Sequence, residues 1–307
     1  MEPALITVKQ VVVLFILIFA GFVCVKTKAV KMEGKKAFSD LLLYLIVINS
    51  YMMEFNIDIL HNLLKAFELS ILLLLIGLFI TLALTAKHKS PDLPIMRFAC
   101  IFSNAAYMGF PLIQALFGSE GLLYASAFVT VYNILLWTAG YGIVSKKVRA
   151  KEVLRTIFTN PVLISVVAGL LIYLCQIPVP DIIKQPVSLV GNMNTPLAMI
   201  IAGANLAQGN LLKSLQNKRL YLICSVKLIL YPLVGLAALW LLHLEFHIAF
   251  TVFIGMACPA GASAIMFAER YGKDAKYASE IFVVTTVLSA VSIPVLSVLA
   301  IRLLGAA

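Results

Sequence analysis

FSNAAYMGFPL, residues Phe102 to Leu112, lies inside a run of apolar residues long enough to cross a bilayer. It places Ser103, Asn104, Gly109 and Pro111 where an unbroken run of Leu and Val would span at lower cost. Pro111 has no N–H for the carbonyl of Tyr107, and its ring pushes the preceding turn open. Gly109 weakens the helix again two residues earlier. The segment is therefore expected to break near mid-membrane. A second stretch of the same kind, MACPAGASA from Met256 to Ala264, carries Pro259 and Gly261. Unpaired backbone at that depth is tolerated only against protein or a water-filled cavity. Half-helix ends aim partial charges into it, N-termini at anions and C-termini at cations. A single proline in a membrane helix commonly only shapes packing; two breaks in corresponding segments point to a functional crossing.

Composition fixes the setting. Of 307 residues, 62% are hydrophobic and 12% charged, against about 45–50% and about 25% in a soluble domain. With a mean hydropathy of +1.01, the chain reads as an integral membrane protein. Its net charge of +10 comes from short basic clusters between apolar runs, placed to meet headgroups, so nucleic-acid binding is excluded. Cys24, Cys100, Cys175, Cys224 and Cys258 are far apart and lie in or beside apolar segments. They read as small buried hydrophobes rather than as disulfides or metal ligands. The first apolar run is too long for a signal-peptide core and lacks a cleavage site, so it is expected to remain as the first helix.

A span needs about 20 apolar residues. Ten such segments follow one another at 5–25, 38–58, 63–86, 94–117, 120–144, 157–177, 186–207, 217–242, 247–268 and 278–303. In a ten-span arrangement, 19 of the 24 Lys and Arg residues fall on one side, four on the other, and Lys227 on neither. That bias makes the richer side cytoplasmic and both termini outward-facing. The halves also echo each other: GSE at 118–120 against GKD at 272–274, and YAS at 124–126 against YAS at 277–279. Five spans is an odd number, so the second half enters the membrane from the opposite face, as in an inverted repeat. The expected division is 1–145 (helices one to five), a cytoplasmic linker at 146–156, and 157–307 (helices six to ten). Shifting Pro111 by the repeat offset lands on Ala264, inside the second broken stretch.

Several polar groups sit at depth. Lys227, about ten residues into the eighth span, must face a cavity, a carboxylate or backbone carbonyls, or snorkel; structural, substrate-binding and coupling roles are all open to it. Glu54 and Asp58 are four apart near the outer end of the second span, suited either to a solvated vestibule or to accepting a coupling proton. Asn49 with Ser50, Asn104, and Asn194 with Asn205 are neutral groups at or near the depth of the breaks. Helix-to-helix hydrogen bonding is the simplest role for such amides. His243 and His247 fall in an outer joint and read as solvated.

NAAYMGFPL with FG six residues after the proline, TPLAMIIAGANLA (Thr195 to Ala207) and CPAGASAIMFAERYG (Cys258 to Gly272) together resemble the auxin efflux carrier superfamily. That family includes the plant PIN carriers and bacterial malate or malonate permeases. The likeness covers the whole chain. It implies an all-α membrane fold of ten helices in two inverted repeats, like the sodium/proton antiporters. Discontinuous helices four and nine would cross, and a transport domain would slide against a scaffold in an elevator-like movement. By position, Asn104 and Pro111 match the family's first crossover and Pro259 with Gly261 the second, while Asn133 stands where PIN-like carriers place a polar residue near the substrate. Ala264 replaces the second crossover proline of the PIN carriers, Ser50 replaces a proline of many relatives, and the long PIN loop shrinks to the linker.

The expected function is secondary transport or uniport of a small organic anion, a mono- or dicarboxylate or an auxin-like acid, across the cell membrane. Asn104, Gly109, Pro111, Asn133, Pro259, Gly261 and Ser50 are the candidate substrate-site residues, and Lys227, Glu54 and Asp58 the candidates for coupling or charge balance. No cofactor or metal is expected beyond H+ or Na+ as a coupling ion. The partners are the substrate and the lipid bilayer, with a homodimer left open. The rival is a sodium-coupled bile-acid-type symporter on the related crossover fold, which needs acidic ligands that the two breaks lack. No GxSxG, HExxH or paired-Asp motif supports an enzyme.

Overall fold

The computed structural model describes residues 2–29, 57–145, 150–208, 211–217 and 219–305. These are helical nearly throughout, because in lipid the intrasegment helix satisfies every backbone polar group. The helices are α1 (Glu2–Lys26), α2 (Ile57–Leu84), α3 (Leu93–Ile101), α4 (Phe110–Leu135), α5 (Tyr141–Ser145), α6 (Ala150–Phe158), α7 (Pro161–Leu174) and α8 (Asp181–Asn192). They continue as α9 (Asn194–Gln208), α10 (Leu211–Gln216), α11 (Arg219–Ser225), α12 (Tyr231–Leu241), α13 (Phe246–Ala257), α14 (Ser263–Arg270) and α15 (Ala275–Leu304).

Among the described residues, six runs are long and apolar enough to cross a membrane: Val8–Lys26, Asp58–Leu84, Ala105–Ser145, Asp181–Ala207, Arg219–Leu241 and Ala275–Leu304. Leu163–Leu174 and Phe246–Ala257 are shorter apolar helices. The chain is thus a multi-pass membrane protein. Its helices are apolar on both sides, with Leu14 and Ile18 of α1 buried while Ile16 and Phe19 face outward. Of the expected span at 38–58, all but the last two residues lie outside the described residues, Asn49, Ser50 and Glu54 among them.

One expectation about the middle of the first half is sharpened and another is corrected. Spans four and five were expected as separate helices at 94–117 and 120–144, and the run Ala105–Ser145 is broken by a kink between those bounds, where two helical stretches of α4 meet. Within α4, only Gly118 leaves helical geometry, at φ 60° and ψ −142°. A glycine tolerates that positive-φ backbone at little cost, so a single residue makes the joint between the two stretches. Gly272, in the echoing GKD triplet, also has φ 60°. Both echoing triplets thus open on a glycine of positive φ.

The correction concerns the break. It falls at Phe102–Asn104, not at Gly109 and Pro111. Gly109 is helical, with φ −72° and ψ −50°, and Pro111 sits in the first turn of α4. The chain absorbs the missing proline donor by widening: Ala105–Gly109 is a π turn whose end is closed by Phe110 N–H donating to the carbonyl of Ala105. Span eight repeats the device. Val226–Leu230 is a π turn, Tyr231 N–H donates to Val226, and Pro232 follows in the first turn of α12. A third π turn, Leu136–Gly140, joins α4 to α5.

The core has two parts. The larger packs α1, α2, α4, α9, α13 and α15 around Tyr124, Phe128, Phe250 and Phe253. The smaller gathers α3, α5, α11 and α14 around Phe98, Phe102 and Phe267. Helices α1 and α9 approach to backbone contact at Gly21, which faces Ile200, and Gly203, which faces Ile18. Cys100, Cys224 and Cys258 are buried as expected, whereas Cys175 is exposed.

Candidate substrate site at the paired helix breaks

Where a helix stops inside the protein, four carbonyls at one end and four N–H groups at the next need partners. The two interruptions supply them to each other. Ser103 and Ala260 form an antiparallel bridge. Asn104 N–H donates to the carbonyl of Pro259 at 2.7 Å, and Gly261 N–H donates to that of Phe102 at 3.0 Å. Each extended segment is two or three residues long, so the pairing is complete with these bonds. Ala260 N–H donates to Oγ1 of Thr285 on α15.

At the end of α13, Cys258 N–H reaches the carbonyl of Ile254. Gly255 has lost its helical donor, because Pro259 stands four residues on, and the Ser103 hydroxyl donates to its carbonyl at 2.7 Å. Met256 has lost Ala260 N–H to Thr285, and Lys227 Nζ donates to its carbonyl at 3.3 Å. Lys227 is fully buried, and its ammonium also lies 5.1 Å from the ring centroid of Tyr231. The carbonyl end of the broken helix is thus closed by a hydroxyl and a cation.

The amide ends are furnished differently. Asn104 precedes the π turn as its N-cap residue, is 6% exposed, and makes no side-chain cap hydrogen bond. At the start of α14, the Ser263 hydroxyl shares a 3.1 Å hydrogen bond with Tyr132 of α4. Tyr132 packs edge-on against Phe102, with ring centroids 5.5 Å apart. Gly261 is needed where it stands, since a Cβ there would lie 2.9 Å from Ser263 Oγ and 3.3 Å from both Ser103 O and Tyr132 Oη. The first N–H groups of both half-helices have no helical partners, and the side chains set beside them are neutral.

Of the expected residues, Asn104, Pro259, Gly261 and Lys227 are brought together here. Gly109 packs beside the second break, where a Cβ would meet Cys258 Sγ at 3.4 Å, and Pro111 lies two residues past the π turn, in the first turn of α4. Asn133 joins a different network: its Nδ2 donates to Val129, and its Oδ1 accepts from Asn160 Nδ2 at 3.2 Å. That amide pair ties α4 to the start of α7, where Asn160 also accepts from Leu163 N–H. Asp58 is exposed in the first turn of α2, while Ser50 and Glu54 lie outside the described residues. His247 is half-exposed and lies 3.3 Å from Glu245, whose carboxylate caps α13.

A single family model, described as membrane transport protein, matches residues 6–153 and then matches again at 147–297. The chain belongs to this family. The membrane transport protein family is that of the auxin efflux, PIN-like carriers, so the resemblance carried by NAAYMGFPL and CPAGASAIMFAERYG holds. Each half of the chain fits the same family description, and each contributes one of the two breaks. Members of the family are transporters rather than enzymes, and this chain is a membrane transporter. No curated protein matches it.

Ser103, Tyr132, Ser263 and Thr285 were missed as site residues. Ser103 had the clearest signal, since it adjoins Asn104 within a run otherwise apolar; Thr285 had none, because a threonine in a buried helix usually bonds its own backbone, as Thr285 also does to Ile281. Ser103→Ala should leave the Gly255 carbonyl buried and unpaired, at a cost of about 1–3 kcal/mol. Thermal unfolding of the purified protein checks this, and an unshifted midpoint would refute the pairing.

Proposed function

We propose that the chain is a secondary carrier or uniporter of a small organic anion across the cell membrane. The observation that supports this is the charge asymmetry of the breaks. Their carbonyl side already holds a cation, Lys227, whereas their amide side presents helix N-termini with Asn104, Tyr132 and Ser263 and no resident carboxylate among the described residues. A carboxylate substrate completes the second side as Lys227 completes the first. Tyr132 and Phe102 lend an apolar wall suited to the body of a mono- or dicarboxylate or an auxin-like acid.

In this reading the chain has ten membrane helices in two inverted five-helix repeats, and the paired breaks are the crossing of helices four and nine. The Ser103–Ala260 bridge makes the two broken helices one body, which moves as a unit past the rest, carrying the midplane site between the two faces. Both termini lie outside the cytoplasm, in keeping with the Lys and Arg distribution.

The test is uptake into proteoliposomes of labelled malate, malonate and indole-3-acetate, with choline as a cationic control, under imposed pH or sodium gradients. Saturable uptake of one or more of the acids, with choline excluded, is expected. Choline transport without acid transport would overturn the proposal.

A further inference from the structure

Lys227 has features that a substrate ligand does not share. Its side chain has no exposed surface, so no solute reaches it. No acidic residue among the described ones pairs with it. Against the ammonium lie the Met256 carbonyl and the Tyr231 ring, and Cys100 of α3 is buried in one cluster with Val226 and Leu228 on either side of Lys227. These neighbours come from the ends of helices. Met256 is the penultimate residue of α13 and Cys100 the penultimate residue of α3. A single charge is therefore bonded to the C-terminal end of one broken helix and packed near that of the other, ends that each carry about half a negative elementary charge.

The position is enforced. Lys227 lies in the π turn Val226–Leu230, which Pro232 follows. Tyr231 is anchored by its hydroxyl, which donates to the Leu73 carbonyl of α2 at 2.9 Å. An ammonium sealed without a carboxylate is costly, and what offsets the cost is the combined field of two helix ends, together with one carbonyl bond and one ring face.

We propose that Lys227 is a resident counter-cation for the paired helix ends, occupying the place that a bound metal cation such as sodium would otherwise fill, so that no metal ion is needed to hold the breaks together. Lys227 is a positioning residue: it fixes the geometry of the α3 and α13 ends and, through the bridge, that of Asn104 and Gly261. This deepens the anion-carrier reading. Its test reads unfolding rather than uptake, so it stands or falls separately from the substrate class.

The full-length protein, purified in detergent, is unfolded thermally in choline chloride, NaCl and KCl at matched ionic strength. Wild type is expected to unfold at one midpoint in all three salts. Lys227→Gln keeps a donor but removes the charge; it should unfold at a lower temperature in choline and recover saturably as NaCl or KCl is raised. Lys227→Arg should match wild type and remain indifferent to the cation. A Lys227→Gln protein as stable as wild type, or one destabilised but deaf to both cations, overturns the proposal. Where Lys227→Gln does not accumulate, Lys227→Arg decides: cation-indifferent accumulation supports a resident charge, and its failure overturns the assignment.

Discussion

Gly203→Ala is expected to disrupt the packing of α1 on α9, although it adds a single methyl group. That carbon would sit inside van der Waals contact of the Ile18 carbonyl, 2.7 Å from Ile18 C and 2.8 Å from Phe22 N. All three are backbone atoms, so no rotamer change relieves the overlap, and two helices of 25 and 15 residues must part along their length. Overpacking of a core commonly costs about 1–3 kcal/mol and sometimes more. Association of membrane helices has little hydrophobic drive to offset such a loss, because lipid tails are as apolar as the partner helix. Gly203→Ala should lower the unfolding temperature and the yield of folded protein, and Gly203→Leu should abolish folding. Val12→Leu, on the outward face of α1, serves as the control and should do neither. Wild-type stability of Gly203→Leu would mean that α1 and α9 are not in backbone contact.

Asn104→Ala is expected to cut transport steeply while leaving the protein folded. The side chain is buried but makes no cap hydrogen bond, so its removal orphans no partner in the substrate-free protein. A hydrogen bond to a charged group is worth about 1.5–3 kcal/mol, which corresponds to roughly 10- to 150-fold in affinity. The loss should appear as a raised half-saturation concentration for whichever labelled acid is carried, with an unchanged unfolding temperature. Asn104→Asp should be worse, since it sets a like charge against the substrate. Equal uptake by wild type and Asn104→Ala would remove Asn104 from the binding site.

Much of the path to these residues was legible in the chain itself. Pro259 and Gly261 marked the second break because proline removes the donor that Gly255 needs, and the structure leaves helical geometry there. Pro111 was equally visible but misled by position. A missing donor can be met by opening a gap or by widening a turn, and sequence does not say which. At Pro111 the chain widens, and the gap opens seven residues earlier, at the polar pair Ser103 and Asn104. Gly118 was legible as a joint, and the structure kinks there between two helical stretches, at one positive-φ residue. Thr285 comes from 25 residues beyond the Ala260 backbone it serves, and Tyr132 from 131 residues before the Ser263 hydroxyl it meets, both within segments whose composition is that of ordinary buried helix. The burial of Lys227 was foreseeable from its depth; its partner, a carbonyl freed 29 residues later, was not.

The three π turns carry a further consequence, for angular phase. A turn closed five residues back holds one residue more than an α turn, so everything beyond it is rotated by about 100° relative to an uninterrupted helix. Span eight therefore presents two differently oriented stripes, one ending at Lys227, which faces the protein, and another starting after Ile229 and Leu230, which face outward. The surplus residue lets one rod of helix aim a charge at the protein interior and, a few residues on, keep an oily face toward lipid.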